Sequence, residues 1–179
     1  MGNGAAGAGS ATMPAQVVLV MGVSGAGKTT VGRLLAQRLG WTYLEGDDMH
    51  PPASVAKMAG GTPLTDEDRW PWLRAIAAEI DALLTAGRSG VVTCSALKRR
   101  YRDILIGGRG GVRLVYLKGG TNLLSPRLAV RAGHFMPPSL LESQFAALEP
   151  PEDDEHPIVV VPDRPPEALV EEVIQALGR

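Results

Sequence analysis

Residues 22–29 are Gly-Val-Ser-Gly-Ala-Gly-Lys-Thr. This stretch fits the pattern G-x-x-x-x-G-K-[ST], the phosphate-binding P-loop. Its glycines allow a tight turn whose backbone N–H groups converge, and the positive end of a following helix adds to the field there. We expect Lys28 to reach the terminal phosphates of a nucleoside triphosphate and the Thr29 hydroxyl to ligate Mg²⁺. The alternative is a glycine-rich turn that binds nothing.

The sequence on both sides of the loop favours nucleotide binding. Residues 17–21 are apolar and rich in β-branched side chains, which is typical of a buried parallel strand. After the loop, apolar residues recur at helical spacing up to Leu39, and Gly40 stands where a helix would end. The residues that we expect to hold ATP are Gly22, Ser24, Gly25, Ala26, Gly27, Lys28, Thr29 and Thr30.

The composition is that of one soluble globular domain. The 179 residues are 45% hydrophobic and 21% charged, with a formal net charge of −1. This balance argues against a nucleic-acid partner, and no apolar run is long enough to span a membrane. The single cysteine, Cys94, excludes an internal disulfide and favours a cytoplasmic location. We expect residues 1–15, which carry no charged side chain, to be a disordered leader before a single domain at 16–179.

Strand-like and helix-like segments alternate along this domain. Such alternation predicts βαβ units and a three-layer α/β/α fold with a five-stranded parallel sheet. The loops after the first three strands then meet at one edge of the sheet, where ligands bind in such folds. The predicted strands are 16–22, 41–44, 91–94, 112–117 and 158–161, and the predicted helices are 27–39, 52–58, 66–85, 97–106, 121–132, 138–148 and 166–177.

An acidic segment, Glu45-Gly-Asp-Asp-Met-His50, follows the second predicted strand. A phosphoryl acceptor needs a carboxylate near its hydroxyl group, and Asp47 and Asp48 are both candidates. A second carboxylate can hold Mg²⁺ directly or through water. His50 is a candidate for binding the acceptor. The alternatives are a solvated acidic turn in which Asp47 or Asp48 caps the next helix, and a histidine that belongs only to the turn.

A basic segment follows the third predicted strand. Lys98, Arg99, Arg100 and Arg102 open a helix, at the end where the helix dipole disfavours positive charge. This misfit suggests an anionic ligand, which Lys98 and Arg102 would reach together because they lie four residues apart. Arg99 and Arg100 are better explained as a solvated face.

Three further arginines are candidates for binding anions. Arg69 stands near the start of a predicted helix. Arg127 and Arg131 lie four apart before Gly133, and arginines on a mobile lid can close on the transferring phosphoryl group. The alternative for Arg127 and Arg131 is an exposed helix face.

The chain resembles the gluconokinases, small P-loop kinases that share their fold with shikimate and nucleoside monophosphate kinases. The resemblance covers about residues 16–178, apart from Pro162, which stands before Asp163 where the family commonly ends its last strand on an acidic residue. The matching segments are residues 21–30, 45–51, 63–69, 94–98, 101–103, 131–135 and 143–151.

This resemblance implies phosphorylation of D-gluconate to 6-phospho-D-gluconate with ATP and Mg²⁺ by a homodimer, with a lid at about residues 121–137. It also favours Asp47 as the base, with Asp48 as its rival. The other residues that it implies are His50, Arg69, Lys98, Arg102 and His134 for the substrate, and Lys28, Arg127 and Arg131 for phosphoryl transfer. Another acceptor on the same fold (shikimate, a nucleoside monophosphate or adenylyl sulfate) and a nucleotide-binding module without transfer are the alternatives.

Overall fold

The structure, a computed structural model, describes residues 13–120 and 140–179. Over these ranges the chain alternates between strands and helices, and each predicted element that falls within them is confirmed to within two residues at its ends. The predicted helix at 121–132 and most of the predicted leader lie outside the described residues. The strands are β1 (Val17–Met21), β2 (Thr42–Glu45), β3 (Gly90–Thr93), β4 (Val112–Leu117) and β5 (Ile158–Val160). The helices are α1 (Lys28–Leu39), α2 (Pro52–Ala59), α3 (Asp66–Thr85), α4 (Arg99–Leu105), α5 (Leu140–Ala147) and α6 (Pro166–Ala176).

The five strands form one parallel sheet in the order β2-β3-β1-β4-β5. β1 lies at the centre, where Leu19 pairs with Val92 of β3 and Leu114 of β4. Because all strands point the same way, the loops after β1, β2 and β3 open at one edge. The predicted parallel five-stranded sheet is confirmed.

Helices cover both faces of the sheet, which gives the three predicted layers. Val18 and Val20 of β1 pack against α1, α5 and α6, whereas Val17, Leu19 and Met21 pack against α3 and α4. This division follows from the strand period of two, which sends neighbouring side chains to opposite faces. β1 is therefore apolar at every position because both of its faces are buried.

The start of α3 is stabilised by a capping box. The backbone N–H of Asp68 donates to Thr65 Oγ1 at 3.2 Å, and the backbone N–H of Thr65 donates to Asp68 Oδ2 at 2.8 Å. Thr65 is therefore the N-cap of α3. Among the described helices, none combines the length and the apolar character that a membrane-spanning helix requires.

Candidate active site

The loop between β1 and α1 forms a cradle whose backbone requires glycine at several positions, among them Gly22 and Gly27. Gly22 has a φ of +151° and Gly27 a φ of +96°, a region that other residues rarely adopt. A Cβ at Gly22 would also lie 3.0 Å from the carbonyl oxygen of Leu117. α1 begins directly at Lys28, whose Nζ donates to the carbonyl of Val23 at 3.1 Å. The loop, the helix N-terminus and a buried ammonium group therefore come together, as an anion site requires.

Glu45, at the end of β2, lies beside this cradle. Its Oε2 accepts a hydrogen bond from Thr29 Oγ1 at 2.7 Å, and its Oε1 accepts one from Thr93 Oγ1 at 2.6 Å. Burial alone would raise the pKa of Glu45, but the hydrogen bonds from Thr93, Tyr43 and Thr29 and the charge of Lys28 outweigh it. The pKa is lowered, so the side chain is a carboxylate. Sequence reasoning placed Glu45 in the acidic segment but not in the site.

The P-loop opens into a cavity that also receives the turn after β2. This P-loop cavity is lined on one side by Ser24, Lys28 and Thr29 and on the other by Asp47, His50 and Arg69. Asp48 is exposed and lies outside the cavity. The turn, Gly46–Met49, is a short 3₁₀ helix that brings Asp47 to the cavity wall.

The position of this turn depends on a close approach of two strands. A Cβ at Gly46 would lie 2.0 Å from the carbonyl oxygen of Thr93, so only glycine fits there. The indole Nε1–H of Trp72 donates to the Gly46 carbonyl at 2.7 Å, which ties the turn to α3. The acidic segment is therefore held by two long-range contacts.

His50 is a buried, neutral wall of the cavity. Its ring stacks on the indole of Trp72 with centroids 3.9 Å apart and planes 17° apart, and the residue is 9% exposed. Burial, and then the charge of Arg69, lower the pKa of His50 to about 4. Among the described residues, its Nδ1 has no hydrogen-bond partner. His50 therefore offers a neutral imidazole, rather than a positive charge, to whatever enters.

This pKa shift predicts a pH dependence of stability. The ordinary pKa of 6.5 falls to about 4 in the folded chain, so the unfolded chain binds this proton more readily. The free energy of unfolding is therefore highest above pH 6.5, and it falls by up to about 3 kcal/mol as the pH decreases toward 4. Urea unfolding of the wild type and of His50→Gln across this range measures the difference in slope. The exposed His156→Gln is the control, and equal slopes for wild type and His50→Gln would contradict the assignment.

The positively charged residues that were predicted to bind the acceptor lie in different places. Arg69 lines the P-loop cavity, and its guanidinium carbon is 5.6 Å from the centre of the Tyr101 ring. The Nζ of Lys98 is at the same distance from that ring, 5.6 Å, and donates to Asp66 Oδ1 at 3.1 Å. Lys98 therefore lies beside the same ring as Arg69 but is not among the residues that line the cavity.

A second cavity lies on the other side of the P-loop. This rear cavity is lined by Thr30 of α1, by Pro162 and Arg164 of the β5–α6 loop and by Leu169 of α6. The loop residues from Gly25 to Gly27 separate the two cavities, since Gly25 and Gly27 line both. A ligand held by the P-loop can thus extend in two directions.

Comparison with known proteins agrees with this geometry. Residues 17–151 match the family described as an AAA domain. The chain is 51% identical to a gluconokinase of Gluconobacter oxydans over 88% of this chain and 89% of that protein. The chain belongs to the gluconokinase family. The crystal structure of a gluconokinase from Sinorhizobium meliloti is 44% identical, covers 93% of both chains and has a TM-score of 0.81. Shikimate kinase from Aquifex aeolicus, 15% identical over 91% of this chain and 96% of its own, has a TM-score of 0.64 and shares the fold alone.

The gluconokinase family and its P-loop kinase fold were both predicted from the sequence, and both are confirmed. The predicted lid at about 121–137, with Arg127, Arg131 and His134, lies outside the described residues. Among the polar residues that line the cavity, Ser95, Ser143 and Gln144 were not predicted. The sequence feature that could have identified them is their position within the matching segments. They were missed because they are uncharged, and the site residues were chosen mainly by charge.

The structure corrects the prediction that Arg102 reaches the acceptor. The residue is 1% exposed, and its Nε and Nη2 donate to the two carboxylate oxygens of Glu155 at 2.5 and 2.8 Å. Its Nη1 donates to the carbonyl oxygens of Ala96, Leu97 and Glu149. Arg102 therefore joins the β3–α4 loop to the segment after α5. Its positive charge is balanced by a carboxylate of the chain itself and not by a ligand.

Loss of this buried ion pair is expected to destabilise the fold strongly. In Arg102→Ala the Glu155 carboxylate, whose side chain is 8% exposed, loses its partner, which costs about 3–5 kcal/mol of unfolding free energy. The control is Arg99→Ala, which removes exposed ion pairs with Glu152 and Asp154 and should change the free energy of unfolding much less. Urea unfolding at pH 7 measures both, and similar losses would show that the Arg102 pair is not the stabilising contact.

Proposed function

We propose that this chain transfers the terminal phosphoryl group of ATP to D-gluconate, giving 6-phospho-D-gluconate and ADP. One observation carries the proposal: the phosphate cradle with Lys28 and the acidic turn with Asp47 open into the same cavity. A kinase needs both in one place, since the donor phosphoryl and the acceptor hydroxyl must meet in line. Membership of the gluconokinase family supports gluconate as the acceptor.

The donor side of the site is assigned to the P-loop and the rear cavity. Backbone N–H groups of residues 22–29 bind the phosphates, and Lys28 balances their charge. The rear cavity, between the P-loop and the β5–α6 loop, is where the nucleoside extends, with Thr30 and Pro162 in its wall.

Thr29 and Glu45 fit a magnesium ion. A hydroxyl and a carboxylate whose oxygens are 2.7 Å apart are the hard oxygen ligands that Mg²⁺ prefers, and protein sites for this ion use few side chains together with phosphates and water. We assign Thr29 as a direct ligand and Glu45 as the carboxylate that binds the ion or its water. An ion held there would supply positive charge against the phosphates of the nucleotide.

The acceptor side of the site is assigned to Asp47, His50 and Arg69. The oxygen of the terminal hydroxyl of gluconate attacks the γ-phosphorus, the bond from that phosphorus to the bridging oxygen breaks, and the hydroxyl proton passes to Asp47. Arg69 supplies a charge for the gluconate carboxylate, and neutral His50 exchanges hydrogen bonds with hydroxyl groups. Lys98 stays a candidate for binding the acceptor, and Arg127, Arg131 and His134 stay proposed lid residues.

An acceptor panel tests the proposal. ADP release is measured with ATP, Mg²⁺ and one of gluconate, shikimate, AMP or glucose, and phosphogluconate is identified by mass spectrometry. We expect turnover with gluconate and little with the others. Turnover with shikimate or AMP alone would reassign the acceptor, and tight nucleotide binding without any turnover would indicate a binding module.

The proposal also covers the oligomeric state and the cellular location of the chain. We propose a homodimer, as the resemblance implies, and a cytoplasmic location, which agrees with the single buried cysteine, Cys94. Light scattering after gel filtration measures the mass in solution. A monomer at working concentrations would contradict the dimer and leave the kinase proposal intact.

A further inference from the structure

A side chain of α5 closes on the P-loop. The backbone N–H of Ser24 donates to Oε1 of Gln144 at 2.7 Å, over 120 residues of sequence. Because a backbone N–H can only donate, the side-chain atom that faces it is the amide oxygen and not the nitrogen. Ser24 is 6% exposed and Gln144 7%, so this contact is shielded from solvent. The amide of one P-loop residue is thus already covered by an oxygen of the chain.

The side chain of Ser24 points to a ligand at the same place. Its Oγ is buried and, within the described part of the chain, has no hydrogen-bond partner. Buried hydroxyls without a partner are unfavourable and uncommon in proteins. Ser24 therefore presents two polar groups beside the cavity, a backbone N–H covered by Gln144 and a hydroxyl that a ligand oxygen would satisfy.

We propose that Gln144 is a cover for the site of the terminal phosphoryl group, and that its amide oxygen leaves the Ser24 N–H when a nucleoside triphosphate binds. This inference rests on the proposed function, because it assumes that the P-loop binds phosphates. Ser24 lines the same cavity as Asp47, and the phosphoryl group that is transferred must face the acceptor. Gln144 therefore competes with the terminal phosphoryl oxygens of ATP and not with the phosphates that ADP retains.

Competition of this kind changes the affinity for the triphosphate in a predictable direction. A ligand that must displace an internal hydrogen bond binds more weakly than it would to a chain without that bond. A variant that cannot accept from the Ser24 N–H should bind the triphosphate more tightly. A variant that accepts more strongly, and that carries a negative charge, should bind it more weakly.

The test compares a non-hydrolysable ATP analogue with ADP by calorimetry, in the absence of any acceptor. In Gln144→Leu, which keeps the volume and loses the acceptor, we expect the analogue to bind about fivefold more tightly and ADP to bind unchanged. In Gln144→Glu we expect the analogue to bind more weakly by about tenfold or more, with a smaller change for ADP. A residue that only supports α5 would not separate the two nucleotides.

The matched control is Glu142→Gln, which changes an exposed residue of the same helix and should alter neither affinity. Thermal unfolding checks that each variant is folded. If Gln144→Leu does not fold, Gln144→Ala takes its place, and we expect it too to bind the analogue more tightly than the wild type does. Equal or weaker analogue binding in the Leu variant, or shifts of the same sign in the Leu and Glu variants, would overturn the inference. Failure of gluconate turnover would instead count against the proposed function, since no acceptor is present in the binding experiment.

Discussion

Lys28→Ala is expected to lower kcat by about 10²–10³-fold while the chain stays folded. Lys28 is the first residue of α1 and is 9% exposed, so its charge acts on bound phosphates through little water. The ammonium group supplies charge where negative charge concentrates in the transition state, and alanine cannot replace it. Its hydrogen bond to the carbonyl oxygen of Val23 is local to the loop, so the hydrophobic core is not disturbed.

Steady-state kinetics with gluconate, together with thermal unfolding, measure this effect. Lys57→Ala is the control, because Lys57 pairs with Asp68 at 2.6 Å and lies outside the residues that line the P-loop cavity. Its kcat should stay close to that of the wild type. Comparable losses in the two variants, or an unchanged kcat in Lys28→Ala, would argue against the phosphate-binding role.

Asp47→Asn is expected to lower kcat by about 10²–10⁴-fold with a smaller change in KM for gluconate. Asparagine has nearly the same shape as aspartate but cannot take the proton of the acceptor hydroxyl. The structure provides the contrast with its neighbour, because Asp47 lines the P-loop cavity whereas Asp48 is exposed and outside it. Asp48→Asn should therefore leave kcat nearly unchanged.

Kinetics of the two asparagine variants over a range of gluconate concentrations separate the roles. A rise only in KM for Asp47→Asn would make Asp47 a binding group rather than a base. A large loss of kcat in Asp48→Asn would transfer the role to that residue. Since the two side chains are neighbours in sequence, the pair is also a control for local disturbance of the turn.

Features that depend on neighbouring residues were predictable from the sequence. The strand period of two and the helical period of 3.6 are repeated within each segment, so the elements and the parallel sheet followed from them. The P-loop and the Thr65 capping box were also predictable, because glycine conformations and caps involve residues only a few positions apart. The family followed from short motifs of the same local kind.

The sequence identified which charged residues could bind a ligand, but not which groups they bind in the folded chain. The four cations at the start of α4 suggested an anionic ligand, and both Lys98 and Arg102 were expected to reach it. In the structure Arg102 binds Glu155, 53 residues away, and Lys98 binds Asp66, 32 residues away. A local pattern contains the charge of a side chain but not the identity of the group that it meets.

The sequence by itself therefore determined the elements, their parallel arrangement, the phosphate-binding loop and the membership of the gluconokinase family. Only the tertiary structure decided that Asp47 rather than Asp48 lines the cavity, that Glu45 joins Thr29, and that Gln144 covers Ser24. The physical reason is that secondary structure and turns depend on contacts within a few residues, whereas a site is built from side chains that chain folding brings together. Hydrogen bonds over 16 and 120 residues of sequence, such as Thr29 to Glu45 and Ser24 to Gln144, have no local signature.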